Sequence, residues 1–147
     1  MSRINIGIAP SDLTDKHLLA EHREIKRICY LFNKHKKLIK TMNYKIPNDF
    51  RLGEGHLKFF LDKGAYTYYR YLEIHKECKK RGFKVKDYSR NWFEAYSKYS
   101  EYFNNYKPSS DDISIIKDRI KRRLANIASL KYYQVQISTK EALLLIG

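Results

Sequence analysis

Apolar residues in this chain recur every three or four positions in four separate stretches, and that spacing leaves it little to fold into except helices. Leu18, His22, Ile25, Cys29 and Phe32 step by 4, 3, 4 and 3, burying one side of a helix that opens after Ala9-Pro10-Ser11-Asp12 and runs to about Met42. Ser11 or Asp12 can accept from the open amides of its first turn. A second helix spans about Lys63 to Arg81, with Leu61, Ala65, Tyr68, Leu72 and His75 on its stripe. Lys79, Lys80 and Arg81 fall in its last turn and Gly82 caps it. Trp92, Tyr96, Tyr99, Phe103 and Tyr106 mark a third from about Arg90 to Asn105. The fourth starts at Ser109-Ser110-Asp111-Asp112, buries Ile113, Ile116, Ile120, Leu124 and Ile127, and gives way near Lys131-Tyr132-Tyr133.

No segment alternates with period two for long, so the expected class is all-α. The expectation is a compact single domain over residues 1–147, of three to four helices with long loops, the largest from Asn43 to Gly55. Residues 133–147 read as an extra C-terminal tail in which Thr139 to Ile146 adds a short turn. Hydrophobic residues make up 43% of the chain and prolines number only three, enough apolar surface to fold despite the heavy charge. No apolar run approaches the length of about 18 residues that a membrane span needs, and Met1-Ser2-Arg3-Ile4-Asn5 lacks the apolar region of a signal peptide. An intracellular, non-secreted protein is therefore expected. Cys29 and Cys78 stand far apart with no clustered partner, so they read as reduced, partly buried thiols rather than a disulfide or a zinc site. His17 and His22 are off a common face for metal binding, and Gly53-Glu54-Gly55-His56 lacks the spacing of a phosphate loop. No metal or cofactor is expected.

Thirty Lys and Arg against sixteen Asp and Glu leave a net charge of +14 with histidine neutral, which points to an anionic partner, nucleic acid first. The distribution sharpens the point. Lys16, Arg23, Arg27 and Lys34 are separated by nearly whole numbers of turns, so they form a narrow stripe opposite the apolar side of the first helix. Arg119, Arg122 and Arg123 project from the last helix away from its isoleucine face. Among these cations sits Glu24, which phosphate would repel. It has two readings: an intrahelical pair with Arg27 one turn on, or a general acid/base held among cations. No familiar hydrolase motif such as HExxH or GxSxG is present.

Several blocks in order, Ser2-Arg3-Ile4-Asn5, Asp15-Lys16-His17-Leu18, Ala20-Glu21-His22-Arg23-Glu24, Gly53-Glu54-Gly55-His56-Leu57-Lys58-Phe59-Phe60, Glu77-Cys78-Lys79-Lys80-Arg81-Gly82-Phe83, Lys86-Asp87 and Lys131-Tyr132-Tyr133, resemble the pyrimidine-dimer DNA glycosylases of T-even phages and algal viruses. The resemblance spans about residues 2 to 133. It implies a small, monomeric, cofactor-independent all-α enzyme acting on double-stranded DNA that carries ultraviolet photoproducts or abasic sites. Such an enzyme cleaves the glycosidic bond of the 5′ pyrimidine of a cyclobutane dimer and nicks the strand by β-elimination. The nucleophile implied is the α-amine of Ser2, freed by removal of Met1, and the catalytic carboxylate is Glu24. Arg3, Arg23 and Arg27 match residues that hold phosphates around the lesion, and His17 a histidine close to the reacting sugar. Lys34, Lys86, Arg119, Arg123, Lys131 and Tyr132 match basic or aromatic positions of the DNA-binding surface, to which Lys16 and His22 also align. The implied enzyme kinks the duplex and flips out the base opposite the lesion. The chain departs from the phage pattern at Ser2 (threonine there), Lys16 (glutamine), His22 (tyrosine) and Ser129-Leu130 (aromatic). These departures bear more on the DNA surface than on the amine chemistry. The rival class is a non-catalytic basic helical protein that binds DNA or RNA.

Overall fold

The structure, a computed structural model, describes residues 3–41 and 44–147. The first helical stretch is divided into α1 (Asp15–Glu24) and α2 (Arg27–Lys40). Between them Ile25 and Lys26 keep right-handed dihedrals, but Ile28 N–H donates to Ile25 O at 3.3 Å and Cys29 N–H to Lys26 O at 3.0 Å. The rod thus tightens by one three-residue turn immediately after Glu24. Apolar spacing fixes which side is buried, and Leu18, His22, Ile25, Cys29 and Phe32 are all buried. It does not distinguish the two hydrogen-bond ladders, so spacing alone predicts a single helix.

After the short α3 (His56–Phe59) comes α4 (Gly64–Lys80), whose ends lie within one residue of the expected ones. Gly82 takes a left-handed φ of 86°, and Phe83 N–H reaches back to Cys78 O at 3.0 Å, the Schellman closure that glycine permits. Its buried face differs from the apolar stripe. Leu72 is 39% exposed, while Tyr71, Ile74 and Cys78 are inside. The helix is rotated because it also carries Arg70 and Glu77 inward, each to a buried ionic partner.

The third helix is shorter than its aromatic spacing predicts. α5 (Arg90–Tyr96) is followed by a bend at Tyr99 and a single 3₁₀ turn over Ser100–Tyr102. Bending lets Tyr96, Tyr99 and Tyr102 surround Phe32, with ring centroids at 4.3, 5.9 and 5.8 Å. α6 (Ser110–Leu124) starts where Ser109-Ser110-Asp111-Asp112 predicts, with a Ser109/Asp112 capping box, and buries Ile116, Ile120 and Leu124.

The fold is mostly helical but not all-α. β1 (Leu130–Tyr132) pairs antiparallel with β2 (Val135–Ile137) across Tyr133 and Gln134, whose φ values of 51° and 66° are those of a type I′ hairpin turn. Neither residue is the Gly or Asn that announces such a turn. The strained pair is held from outside: the Asp15 carboxylate accepts the amides of Tyr133 at 3.1 Å and Gln134 at 2.7 Å. The tail forms α7 (Thr139–Ile146), a helix with its own Ser138/Glu141 capping box that packs against α6 through Ala142 and Ile146. Cys29 and Cys78 are free and buried, and burial pushes the Cys78 thiol up to about 11.

Candidate active site

Residues 3–9 form no helix or strand and are anchored by Ile4, Ile6 and Ile8 in the core. Where this segment meets α1 and the C-terminal end of α6, a cavity of about 270 Å³ opens. Arg3 and Asn5 line it from the segment, Lys16, His17, Ala20, Glu21 and Glu24 from α1, and Arg119, Arg123, Asn126 and Ile127 from α6 and the turn after it.

The two carboxylates in this wall are held differently. Glu21 is buried and accepts Arg70 Nε at 2.7 Å, Arg70 Nη2 at 3.0 Å and Asn5 Nδ2 at 2.8 Å. Arg70, itself buried, also donates to the Ile8 carbonyl, so this pair ties α1 and α4 to the N-terminal segment. Glu24 stays 29% exposed, with Arg23 Nε at 3.5 Å and Arg27 Nη1 at 3.6 Å. The i,i+3 pair that spacing suggests therefore forms, and at these distances and this exposure it contributes little to stability.

The rest of the wall is cationic and partly dehydrated. Burial, then the neighbouring charges of Arg3, Arg123 and Arg122, bring Arg119 down to about 10. Burial and Arg123 lower Arg3. Burial, Arg119 and Arg123 hold His17 down to about 4, so its imidazole is neutral at physiological pH. Thr14 Oγ1 lies 3.3 Å from His17 Nδ1. Like charges brought this close are poised for an anion such as phosphate, whose arrival removes their mutual repulsion.

Of the residues singled out from sequence, Arg3, Lys16, His17, Glu24, Arg119 and Arg123 line one cavity, with Arg23 and Arg27 beside it on Glu24. Ser2 lies outside the described residues. His22 does not reach this surface. It is 3% exposed, packed against Tyr71, His75 and Tyr88, with Nε2 2.9 Å from His75 Nδ1, because its place on α1 faces the core. Lys34, Lys86 and Lys131 are exposed but outside the cavity wall. Tyr132 donates to the Ser11 carbonyl at 2.8 Å and lies under the Arg81 guanidinium, so it supports the hairpin. The sequence alone does not single out Asn5, Ala20, Glu21, Asn126 or Ile127 as wall residues. Glu21 carried a signal: it stands one turn before Glu24, on the border of the buried face, where a carboxylate needs a partner.

Among the described residues no group of three or more His, Cys, Asp or Glu side chains could hold a metal ion. No described helix is long and apolar enough to cross a membrane. A protein-family model for pyrimidine dimer DNA glycosylases matches residues 1–91, a span that includes α1, α4 and the N-terminal wall of the cavity.

Proposed function

The chain belongs to the pyrimidine dimer DNA glycosylase family, and from that premise we propose that it excises the 5′ pyrimidine of a cyclobutane dimer and then nicks the abasic strand. The observation that carries the proposal is Glu24, a part-exposed carboxylate opening onto a cavity walled by Arg3, Lys16, His17, Arg119 and Arg123. A carboxylate in a pocket otherwise built for phosphate suits a reaction that develops positive charge on the sugar.

In this reading the nucleophile is the α-amine of Ser2 after removal of Met1. An α-amine has an ordinary pKa of about 7.7 to 8.0, so a useful fraction is neutral at pH 7, and the cations around the cavity lower it further. The amine attacks C1′ as the glycosidic bond breaks, and the departing base takes the bonding pair and a proton from solvent water. Glu24 stabilises the cationic sugar and carries a proton from the amine nitrogen to O4′ as the ring opens to an imine. The iminium acidifies the C2′ hydrogen. Its loss expels the 3′ phosphate, and water then hydrolyses the imine and regenerates the amine. Arg3, Arg23, Arg27, Arg119 and Arg123 hold the phosphates flanking the lesion, His17 approaches the sugar, and Lys16, Lys34, Lys86 and Lys131 extend the contact along a kinked duplex. The protein acts as a monomer.

Borohydride trapping on a duplex with one abasic site tests this directly. The expected result is a permanent protein–DNA crosslink that peptide mass analysis maps to the Ser2 nitrogen. A protein that binds the duplex and yields no crosslink is a non-catalytic binder, and the proposal fails.

A further inference from the structure

His56 is 1% exposed at the start of α3, and both of its ring nitrogens are engaged. Nδ1 lies 2.9 Å from the Arg51 carbonyl oxygen, an atom that can only accept, so Nδ1 carries the proton. Nε2 is then the lone-pair nitrogen, and it accepts the backbone N–H of Ile4 at 2.9 Å. Phe50 and Phe60 fix the ring edge-on, with centroids at 5.5 and 5.4 Å. Burial holds the imidazole down to about 4, opposed by the Arg51 carbonyl and aided by the charges of Arg3 and Arg119, so this tautomer persists at neutral pH.

We infer that His56 is a positioning residue for the reaction: by holding the Ile4 amide it fixes where Arg3 and Asn5 meet the cavity, and with them the point from which the chain continues toward its amine. The inference rests on the amine chemistry proposed above. Residues 3–9 form no helix or strand, so beyond two local turn bonds, Ile6 N–H to Ile4 O and Ile8 N–H to Asn5 O, their course depends on buried side chains and on side-chain bonds to the backbone such as this one. Two residues of chain reach at most about 7 Å, so an anchor on the Ile4 nitrogen limits how far the amine two residues upstream can stray. Attack on C1′ requires near contact, and a displacement of about 1 Å can lower the rate about 100-fold.

Two substitutions separate the two bonds of the ring. His56→Asn places an amide where Nδ1 was, keeping the Arg51 bond and losing the Ile4 bond. His56→Gln places its carbonyl near the position of Nε2 and keeps an acceptor for Ile4. The measurements are the single-turnover rate of borohydride-trappable imine on an abasic duplex, and the affinity for the same duplex carrying an unreactive tetrahydrofuran site. The Asn variant is expected to lose about tenfold or more in imine rate, with affinity within about twofold and the rate substantially restored in the Gln variant. Equal loss in both variants, or loss of rate in step with affinity, overturns the inference. Hydrogen exchange in the unsubstituted protein gives a reading that does not depend on a variant folding: the Ile4 amide is expected to be protected, and exchange at unfolded rates overturns the inference. If the unsubstituted protein forms no crosslink, the proposed reaction fails and the inference falls with it. A crosslinking protein whose Asn variant keeps full rate refutes only the role of His56.

Discussion

Glu21 and Glu24 face the same cavity one turn apart on α1, yet Arg70 grips Glu21 through two nitrogens at 2.7 and 3.0 Å while Glu24 meets Arg23 and Arg27 at 3.5 and 3.6 Å with its side chain 29% exposed. Glu21 is part of the frame, whereas Glu24 keeps its side chain part-exposed on the cavity. Glu24→Gln is nearly isosteric and removes the ionisable group to which the proposed reaction assigns the proton transfer. It should therefore lower strand cleavage about 10²- to 10⁴-fold, the range for loss of a general acid/base. Binding to irradiated duplex should be retained or tighter, since a negative charge facing phosphate disappears. Parallel titrations of nicking and gel-shift affinity decide the matter; equal loss of both would assign Glu24 to the frame.

The partner residue has the opposite expectation. Arg70→Ala leaves the Glu21 carboxylate buried without its main counter-charge, and removing one partner of a buried pair destabilises by about 3 to 5 kcal/mol. Replacing both, Glu21→Ala with Arg70→Ala, should cost less than the sum of the single changes, because neither variant residue strands a charge. Denaturant unfolding of the three variants measures this coupling; strict additivity would mean that the pair carries no buried-charge energy.

How much of this could be read from the chain depended on which physical rule each feature obeyed. The α1/α2 face, the Gly82 cap and the Ser109 capping box follow local rules of spacing and end chemistry, and they stand where those rules put them. The rotation of α4 does not, because it is set by Arg70 meeting Glu21 and Glu77 meeting Arg81, contacts between residues distant in sequence or one turn apart on a face that spacing alone reads as polar. The hairpin was likewise hidden: Tyr133 and Gln134 adopt left-handed dihedrals because Asp15 accepts both of their amides. At the cavity, the cations of α1 and α6 were legible as stripes. Asn5 was not, since its role comes from a tertiary bond to Glu21.

The proposed nucleophile makes a prediction about the chain's first atoms. Retaining Met1, or adding one residue before Ser2, replaces the α-amine at that position with an amide nitrogen, which cannot form an imine. Borohydride crosslinking should fall to background while affinity for a tetrahydrofuran-site duplex stays within about tenfold, as the lysines and arginines of the surface are untouched. Intact mass establishes which form is present. An undiminished crosslink in the extended protein would point to a lysine nucleophile.

The cationic wall predicts a steep response to salt. If about six cations, those of the wall with Arg23 and Arg27 beside it, neutralise phosphates, log affinity should fall against log salt concentration with a slope of about −5. Arg119→Ala and Arg123→Ala should each make the slope shallower by about 1 and weaken damaged and undamaged duplex alike. Titrations at several potassium chloride concentrations supply the slopes, and an unchanged slope would remove these arginines from the DNA contact.

Acid should weaken the fold through its buried imidazoles. His22 and His56 are 3% and 1% exposed, and both are held down to about 4, by burial first and then by neighbouring positive groups. In the unfolded chain each returns to about 6.5. Between these values the unfolded chain binds protons that the folded one does not, so stability falls as pH drops from about 6.5 to about 4 and is level above that window. Each ring contributes on the order of 3 kcal/mol, at 1.36 kcal/mol for every factor of ten in proton affinity. For His56 the change is also local, since a proton on Nε2 turns the acceptor of the Ile4 amide into a second donor. Guanidinium unfolding at pH 7 and pH 4.5 should show the loss in the unsubstituted protein. His22→Tyr should lose less between the two pH values, because its phenol stays neutral throughout, and an identical loss would show that His22 already takes up its proton in the fold.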